Sequence, residues 1–262
     1  MKQALKKGEV TTYTFGAATL HAYKTNDPLE DEVYLVETPE NLVMIELPSF
    51  RDNLVEFREY VQSLKKPLTD VLVAHHPAGA SYFKGAKMHF TKTTEKALLP
   101  GGGIRGLLDN FAKAFGAAFD MSVPQGGADL RPGRADIGGV EMLITENGDG
   151  YDIGIPSIAC VYTHMMGSDV HSIVAGAAHA DVIIAQLEGY KAKGYRLILT
   201  SHYEPETIDR ADVKIAYLKS LKAFAAESVD AAGFASKMKS AFPGYSGLNY
   251  LEMTAGMFFP RA

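Results

Sequence analysis

VLVAHHPAGASYFKG, residues 71–85, opens on four apolar residues shaped like a buried strand and runs out onto two adjacent histidines, His75 and His76. A short apolar run without polar alternation fits a strand covered on both faces. Upstream of it, Leu54, Phe57, Val61 and Leu64 recur at three- and four-residue steps in FRDNLVEFREYVQSLKK, which predicts an amphipathic helix from Phe50. Before that helix, TTYTFGAATLHAYKT, EVYLVET and NLVMIELP are rich in Val, Ile, Leu and Tyr and read as a β-meander. Strand, helix and strand make a βαβ unit, whose ligand site lies beyond the carboxyl ends of its strands. The histidine pair sits at that end.

Working outward, GIRGLLDNFAKAFGAAF predicts a second helix after the run Gly101 to Gly103. No Gly-Lys-Ser/Thr follows those glycines, so they read as a helix entry rather than a phosphate cradle. MSVPQGGADLRPGRADIGG, residues 121–139, is Gly/Pro-rich and reads as loop. Three more strands follow, GVEMLITEN, YDIGIP and SIACVYTH, then a helix HADVIIAQLEGYKAKG and a strand YRLILTSHY that delivers His202 at its carboxyl end. DRADVKIAYLKSLKAFAAES reads as a long amphipathic helix, with Val213, Ala216, Tyr217 and Leu221 among its apolar positions, and AAGFASKMKSAF as a shorter closing one. PGYSGLNYLEM, residues 243–253, is Tyr/Gly-rich and reads as a loop or short strand, either at a subunit interface, which makes a homo-oligomer an expectation, or lining a substrate. Two β-rich halves, each followed by helices and with no separating linker, imply one domain over residues 1–262: two packed sheets with helices outside.

At 262 residues, 47% apolar and 22% charged, the chain has globular composition and length enough for a large core. A net charge of −5 and the lack of a basic, aromatic-laced face argue against nucleic acid. No stretch approaches the roughly 20 apolar residues of a membrane span, and MKQALKKGEV has no apolar core of signal-peptide length. The one cysteine, Cys160, excludes an intramolecular disulfide and reads as a buried strand thiol. The expectation is a cytoplasmic protein with a small-molecule ligand. No dinucleotide fingerprint follows a strand.

Of eight histidines, His75, His76, His164 and His202 fall where a strand runs out into a loop. Imidazole is the commonest transition-metal ligand, and a catalytic zinc takes three protein groups plus water. In order and surroundings these segments resemble the metallo-β-lactamase fold superfamily of metal-dependent hydrolases, over about residues 32–228. There, a strand pair like YLVETPENLVMIELP precedes a helix and a strand ending in H-x-H-x-D-H, to which TDVLVAHHPAGASYFKG is similar. THMMGSDVH stands where the family has its aspartate-bearing segment, and SHYEPE resembles its closing Gly-His segment. The resemblance implies an α/β four-layer αββα sandwich, with two mixed sheets and helices outside.

Residue by residue, most of the motif differs. With His76 on its second histidine, Ala74, Ala78 and Gly79 occupy the positions of the first histidine, the aspartate and the last histidine. ITENGDGYD fills the stretch where the family has a further histidine, with Glu146 and Asp149 its oxygen donors. His164 stands at the bridging aspartate and His202 at the closing histidine, so a binuclear site is not expected. What the resemblance implies is one divalent ion, zinc for preference with iron or manganese admitted, on His76, His164 and His202, with His75 or Glu146 as further donors. Such an ion would support hydrolysis of a small substrate.

Asp169 and Glu204 are the carboxylates nearest in sequence for proton handling. His171 matches a histidine often found near the substrate, and Tyr82 with Phe83 would face the same mouth. Arg105, Arg131 and Arg134 favour an anionic ligand or are surface charge. The competing expectation is a metal-free binding or scaffold protein, in which the histidines hydrogen-bond one another and Met165 and Met166 pack over them.

Overall fold

A computed structural model describes residues 1–260; Arg261 and Ala262 lie outside the described residues. The chain forms two compact units, one of Met1–His164 with Leu199–Glu204, the other of Met165–Ile198 with Pro205 onward.

The first unit begins with β1 (Lys2–Ala4), β2 (Glu9–Phe15), β3 (Ala18–Lys24), β4 (Glu32–Glu37) and β5 (Leu42–Ile45). Helix α1 (Arg51–Ser63) then leads to β6 (Leu68–Leu72) and β7 (Lys87–His89). These seven strands form one sheet in sequence order, antiparallel from β1 to β5 and parallel from β5 to β7. The expected meander and βαβ unit are therefore present. Leu54 and Phe57 of α1 are fully buried against Tyr23, Leu35, Leu42 and Met44, and the Phe57 ring stacks on Tyr23 at 4.5 Å. Burying side chains of this size contributes roughly 1.5–3 kcal/mol each, which fixes the helix on one face of the sheet. Glu56, inside that helix, is buried without being unpaired, since it accepts from Lys7 N, Gly8 N and Tyr23 Oη.

After α2 (Lys92–Leu98) and α3 (Gly103–Phe115) come β8 (Gly133–Ile137), β9 (Val140–Asn147), β10 (Gly150–Ile155) and β11 (Cys160–Tyr162), an antiparallel set in sequence order. This second sheet meets the first through buried tyrosines. Tyr151 Oη donates to the His89 carbonyl at 3.0 Å, and Tyr34 and Tyr162 meet edge to face with centroids 6.3 Å apart. Cys160 is buried, as expected, and burial pushes its thiol up to about 12.

In the second unit, α4 (Ala177–Ala192) precedes β12 (Leu197–Leu199), whose last residue belongs to the first unit. Strand β13 (Glu206–Thr207) pairs with Leu197 and Ile198, and α5 (Arg210–Ala226), α6 (Ala231–Ala241) and α7 (Leu248–Phe258) complete the chain. Ala180, Tyr217, Leu221, Phe234, Met238 and Leu251 share this unit's core.

Three expectations are corrected. Residues 243–253 do not stay a loop or strand: from Leu248 they enter α7, because Leu251, Thr254 and Ala255 recur at helical spacing and are buried. Residues 133–137, expected as loop, form β8, since pairing with β9 satisfies their backbone groups. In α5 the expected Tyr217 and Leu221 are buried, together with Ala211, Lys214, Ile215 and Leu218, whereas Val213 is half-buried and Ala216 is exposed. Among the described residues no helix is long and apolar enough to cross a membrane.

Candidate metal centre

The histidine pair is placed by a carboxylate. Strand β6 gives way to Val73, whose N–H donates to the His89 carbonyl, and the next amides turn toward Glu46 just past β5. Glu46 is fully buried and left-handed (φ 64°), an uncommon conformation for a residue with a side chain. Its two oxygens accept from His75 N and His76 N, each at 2.8 Å. Tyr162 Oη, at the end of β11, donates to the same carboxylate at 2.5 Å and lies 2.6 Å from Ser201 Oγ, just past β12. Glu46 thus ties together the carboxyl ends of β5, β6 and β11, and Tyr162 extends the link to Ser201 beyond β12. Burial, the largest influence, pushes its carboxyl up to about 7 against the pull of those donors.

From these ends three imidazoles converge. His76 Nε2 lies 3.2 Å from His164 Nε2, and His202 Nε2 lies 3.3 Å from the same atom. All three nitrogens fall within 4.8 Å of one another, the one group among the described residues suited to hold a metal ion. His75 stacks flat on His164, with centroids 4.2 Å apart and planes 7° from parallel. Burial holds His76 and His164 well below the usual imidazole range, lowers His202 and brings His75 to about 4. The rings are therefore neutral at neutral pH, the form in which imidazole ligates a metal.

On His76 and His202 the opposite ring nitrogens face oxygen atoms. His202 Nδ1 lies 3.1 Å from the Leu29 carbonyl and donates to it, and Asp31 Oδ1 lies 3.4 Å from His76 Nδ1 and 3.5 Å from His202 Nδ1. With Nδ1 protonated, Nε2 presents a bare lone pair. Asp31 is fully buried; its Oδ2 accepts from Ser49 Oγ at 3.1 Å, whereas Oδ1 and His76 Nδ1 have no aligned hydrogen bond. Burial pushes this carboxyl well above its ordinary range, with Asp27 adding to the effect.

This donor set fits a divalent cation. A tetrahedral ion with bonds of about 2.0–2.1 Å holds neighbouring nitrogens roughly 3.3–3.4 Å apart, the spacing already present around His164. A proton on His164 Nε2 could serve only one of its two neighbours, whereas a cation serves all three lone pairs. The carboxylate behind two of the rings is the outer partner such ligands commonly have.

The other expected residues are placed as follows. Glu204 is exposed and pairs with Lys24 at 3.2 Å. Asp169, in the second unit, is exposed, and His171 there is buried, its Nδ1 3.1 Å from Tyr217 Oη. Tyr82 packs beside the α1 core with Arg58 over its ring, and Phe83 is buried in that core. Glu146 accepts from Thr93 Oγ1. Arg105 and Arg134 pair with Asp109 and Glu141, as surface charges do. Ala78 is buried among Phe50, Ile104, Leu108 and Phe119, and Gly79 has φ +88° with no room for a Cβ, which would lie 2.4 Å from Leu54 Cδ2 and 2.7 Å from the Pro48 carbonyl. Glu46 and Asp31 belong to no motif that the sequence displays. Glu46 carries one available signal, an acidic residue closing an otherwise apolar strand.

The two-sheet sandwich with its strand-end histidines is the metallo-β-lactamase fold. Among solved structures the chain is similar to a metallo-β-lactamase family protein from Thermus thermophilus, at 14% identity and TM-score 0.63 over 92% of this chain and 91% of that one. It is also similar to a Pseudomonas aeruginosa metallo-β-lactamase in its mono-zinc form, at 12% identity and TM-score 0.55 over 81% and 96%. A stereoselective inverting sec-alkylsulfatase from Pseudomonas sp. matches at 15% identity and TM-score 0.61 over 90% of this chain, which spans 48% of that protein. No family model and no curated protein matches the chain.

Proposed function

We propose that the chain is a divergent hydrolase-like member of the metallo-β-lactamase superfamily that uses one divalent ion, zinc for preference, on His76, His164 and His202. The observation that carries the reading is the convergence of three neutral, largely buried Nε2 atoms at 3.2 and 3.3 Å around His164. An ion bound there would polarise water and the scissile carbonyl, phosphoryl or sulfuryl group of a small substrate. The chain's own part is to hold the rings still. Glu46 fixes the backbone that carries His76, His75 buttresses the His164 ring, and the Leu29 carbonyl orients His202. That the fold also serves a sec-alkylsulfatase and β-lactamases supports a hydrolytic reaction and leaves the ester or amide class to experiment.

The test is metal analysis of protein purified without chelator, followed by a screen of carboxylic, thio-, phosphate and sulfate esters. About one equivalent of metal is expected, lost in the His164→Ala, His202→Ala double variant together with any hydrolysis. Failure to bind zinc, iron(II) or manganese(II) after reconstitution would overturn the reading. It would favour the second one, a metal-free binding or scaffold protein, for which the His–His contacts, both of hydrogen-bond length, are the supporting observation.

A further inference from the structure

Asp31 lies on the loop that leads into β4, far in sequence from every histidine of the cluster, yet its carboxylate is fully buried directly behind two of them. The surrounding loop is built to hold it. Its N–H faces Asp27 Oδ1 at 3.4 Å, its carbonyl accepts from Thr25 N and Thr25 Oγ1, and Ser49 Oγ occupies Oδ2. That leaves Oδ1 as the free corner, and Oδ1 is the atom 3.4 Å from His76 Nδ1 and 3.5 Å from His202 Nδ1. A buried carboxylate oxygen without a hydrogen bond is costly, and so is a buried imidazole nitrogen without one; here the two lie together. Asp31 is not a ligand itself, because it faces the nitrogens on the far side of the rings from the Nε2 cluster.

The geometry points to Asp31 as the positioning residue of the histidine cluster: through one buried oxygen it holds His76 and His202 in the Nδ1–H tautomer, leaving both Nε2 lone pairs directed at a cation. The two rings depend on it unequally. His202 Nδ1 has a second acceptor in the Leu29 carbonyl, whereas the acceptor that His76 Nδ1 faces is Asp31. The inference rests on the metal reading for its purpose, but the tautomer can be read without metal.

Two measurements on the full chain test it. Long-range proton–nitrogen correlation of the imidazoles in metal-free, nitrogen-15-labelled protein, assigned through His76→Gln and His202→Gln, should report Nδ1–H for both rings. In Asp31→Ala the His76 ring should lose that form while His202 keeps it. Zinc affinity, measured by competition with a chromophoric chelator, should fall about 10–100-fold in Asp31→Ala, which removes the acceptor, and by less in Asp31→Asn, which keeps the shape and one acceptor oxygen, with one-to-one stoichiometry retained in both. An Nε2–H form at His76 in the unaltered chain would overturn the assignment, as would zinc affinity within about twofold of the unaltered chain in both Asp31 variants. Should the unaltered chain bind no zinc, the metal reading fails, and the His76 tautomer still decides whether Asp31 sets it.

Discussion

Buried acids are where this chain departs most from what its letters suggest. Glu32 is buried at the start of β4, and burial, with Glu204 nearby, raises its carboxyl to about 8. Because the folded value lies above the ordinary 4.5, the stabilisation from taking up a proton on folding is complete below about pH 4.5 and is lost as pH rises through about 8. Glu32→Gln is therefore expected to leave Tm unchanged at about pH 4 and to raise it by several degrees at about pH 9, at about 2–4 °C per kcal/mol; calorimetry across that range checks it. The histidines His76, His164 and His202 were legible because an apolar run ending on an imidazole has a pattern. Asp31 was not: in NDPLEDEVY it looks like one acid of a solvated loop, and only the tertiary fold covers it. Lys214 was hidden for the same reason, a charged letter on a helix, although it is buried and donates from Nζ to the Val170 carbonyl.

Among the elements, α1 and the turn after His76 are locked together. Gly79 has no space for a side chain beside Leu54 and the Pro48 carbonyl, and its φ of +88° disfavours one in any case. Gly79→Ala should destabilise through both the clash and the strain, and Leu54→Ala by about 2–5 kcal/mol through the cavity it leaves. Combined, they should cost less than the sum, because Leu54→Ala relieves the closest of the two contacts while the Pro48 carbonyl contact and the strain remain; denaturant unfolding of the two single variants and the double gives the coupling directly. Additivity would show that Leu54 is not what closes the position. The helices and central strands were legible where periodicity was long, as in α1 with Leu54, Phe57 and Val61. The short β7 and β8 and helix α7 were not. Three- to five-residue strands carry too few letters for a period, and the Tyr/Gly content before α7 masked the spacing of Leu251, Thr254 and Ala255.

Taken whole, the chain builds its first unit from two pieces, and residues 199–204 return to it after the excursion 165–198. That return supplies Thr200, whose carbonyl accepts from Tyr34 Oη at 2.7 Å, and Ser201, whose carbonyl accepts from Glu32 N at 2.6 Å. A fragment of residues 1–164 should therefore lose cooperative unfolding by circular dichroism and, on the proposed metal reading, the zinc binding expected of the full chain; a fragment that unfolds sharply would show the return to be dispensable. The sandwich itself was legible, because strand and helix order survives where motif letters do not. How residues 199–204 pair was not, since those contacts link residues more than 160 positions apart. The same return path orders events during synthesis. The third imidazole, His202, leaves the ribosome only after most of the polypeptide has been made, so the three-histidine cluster can come together only once the whole excursion has been translated.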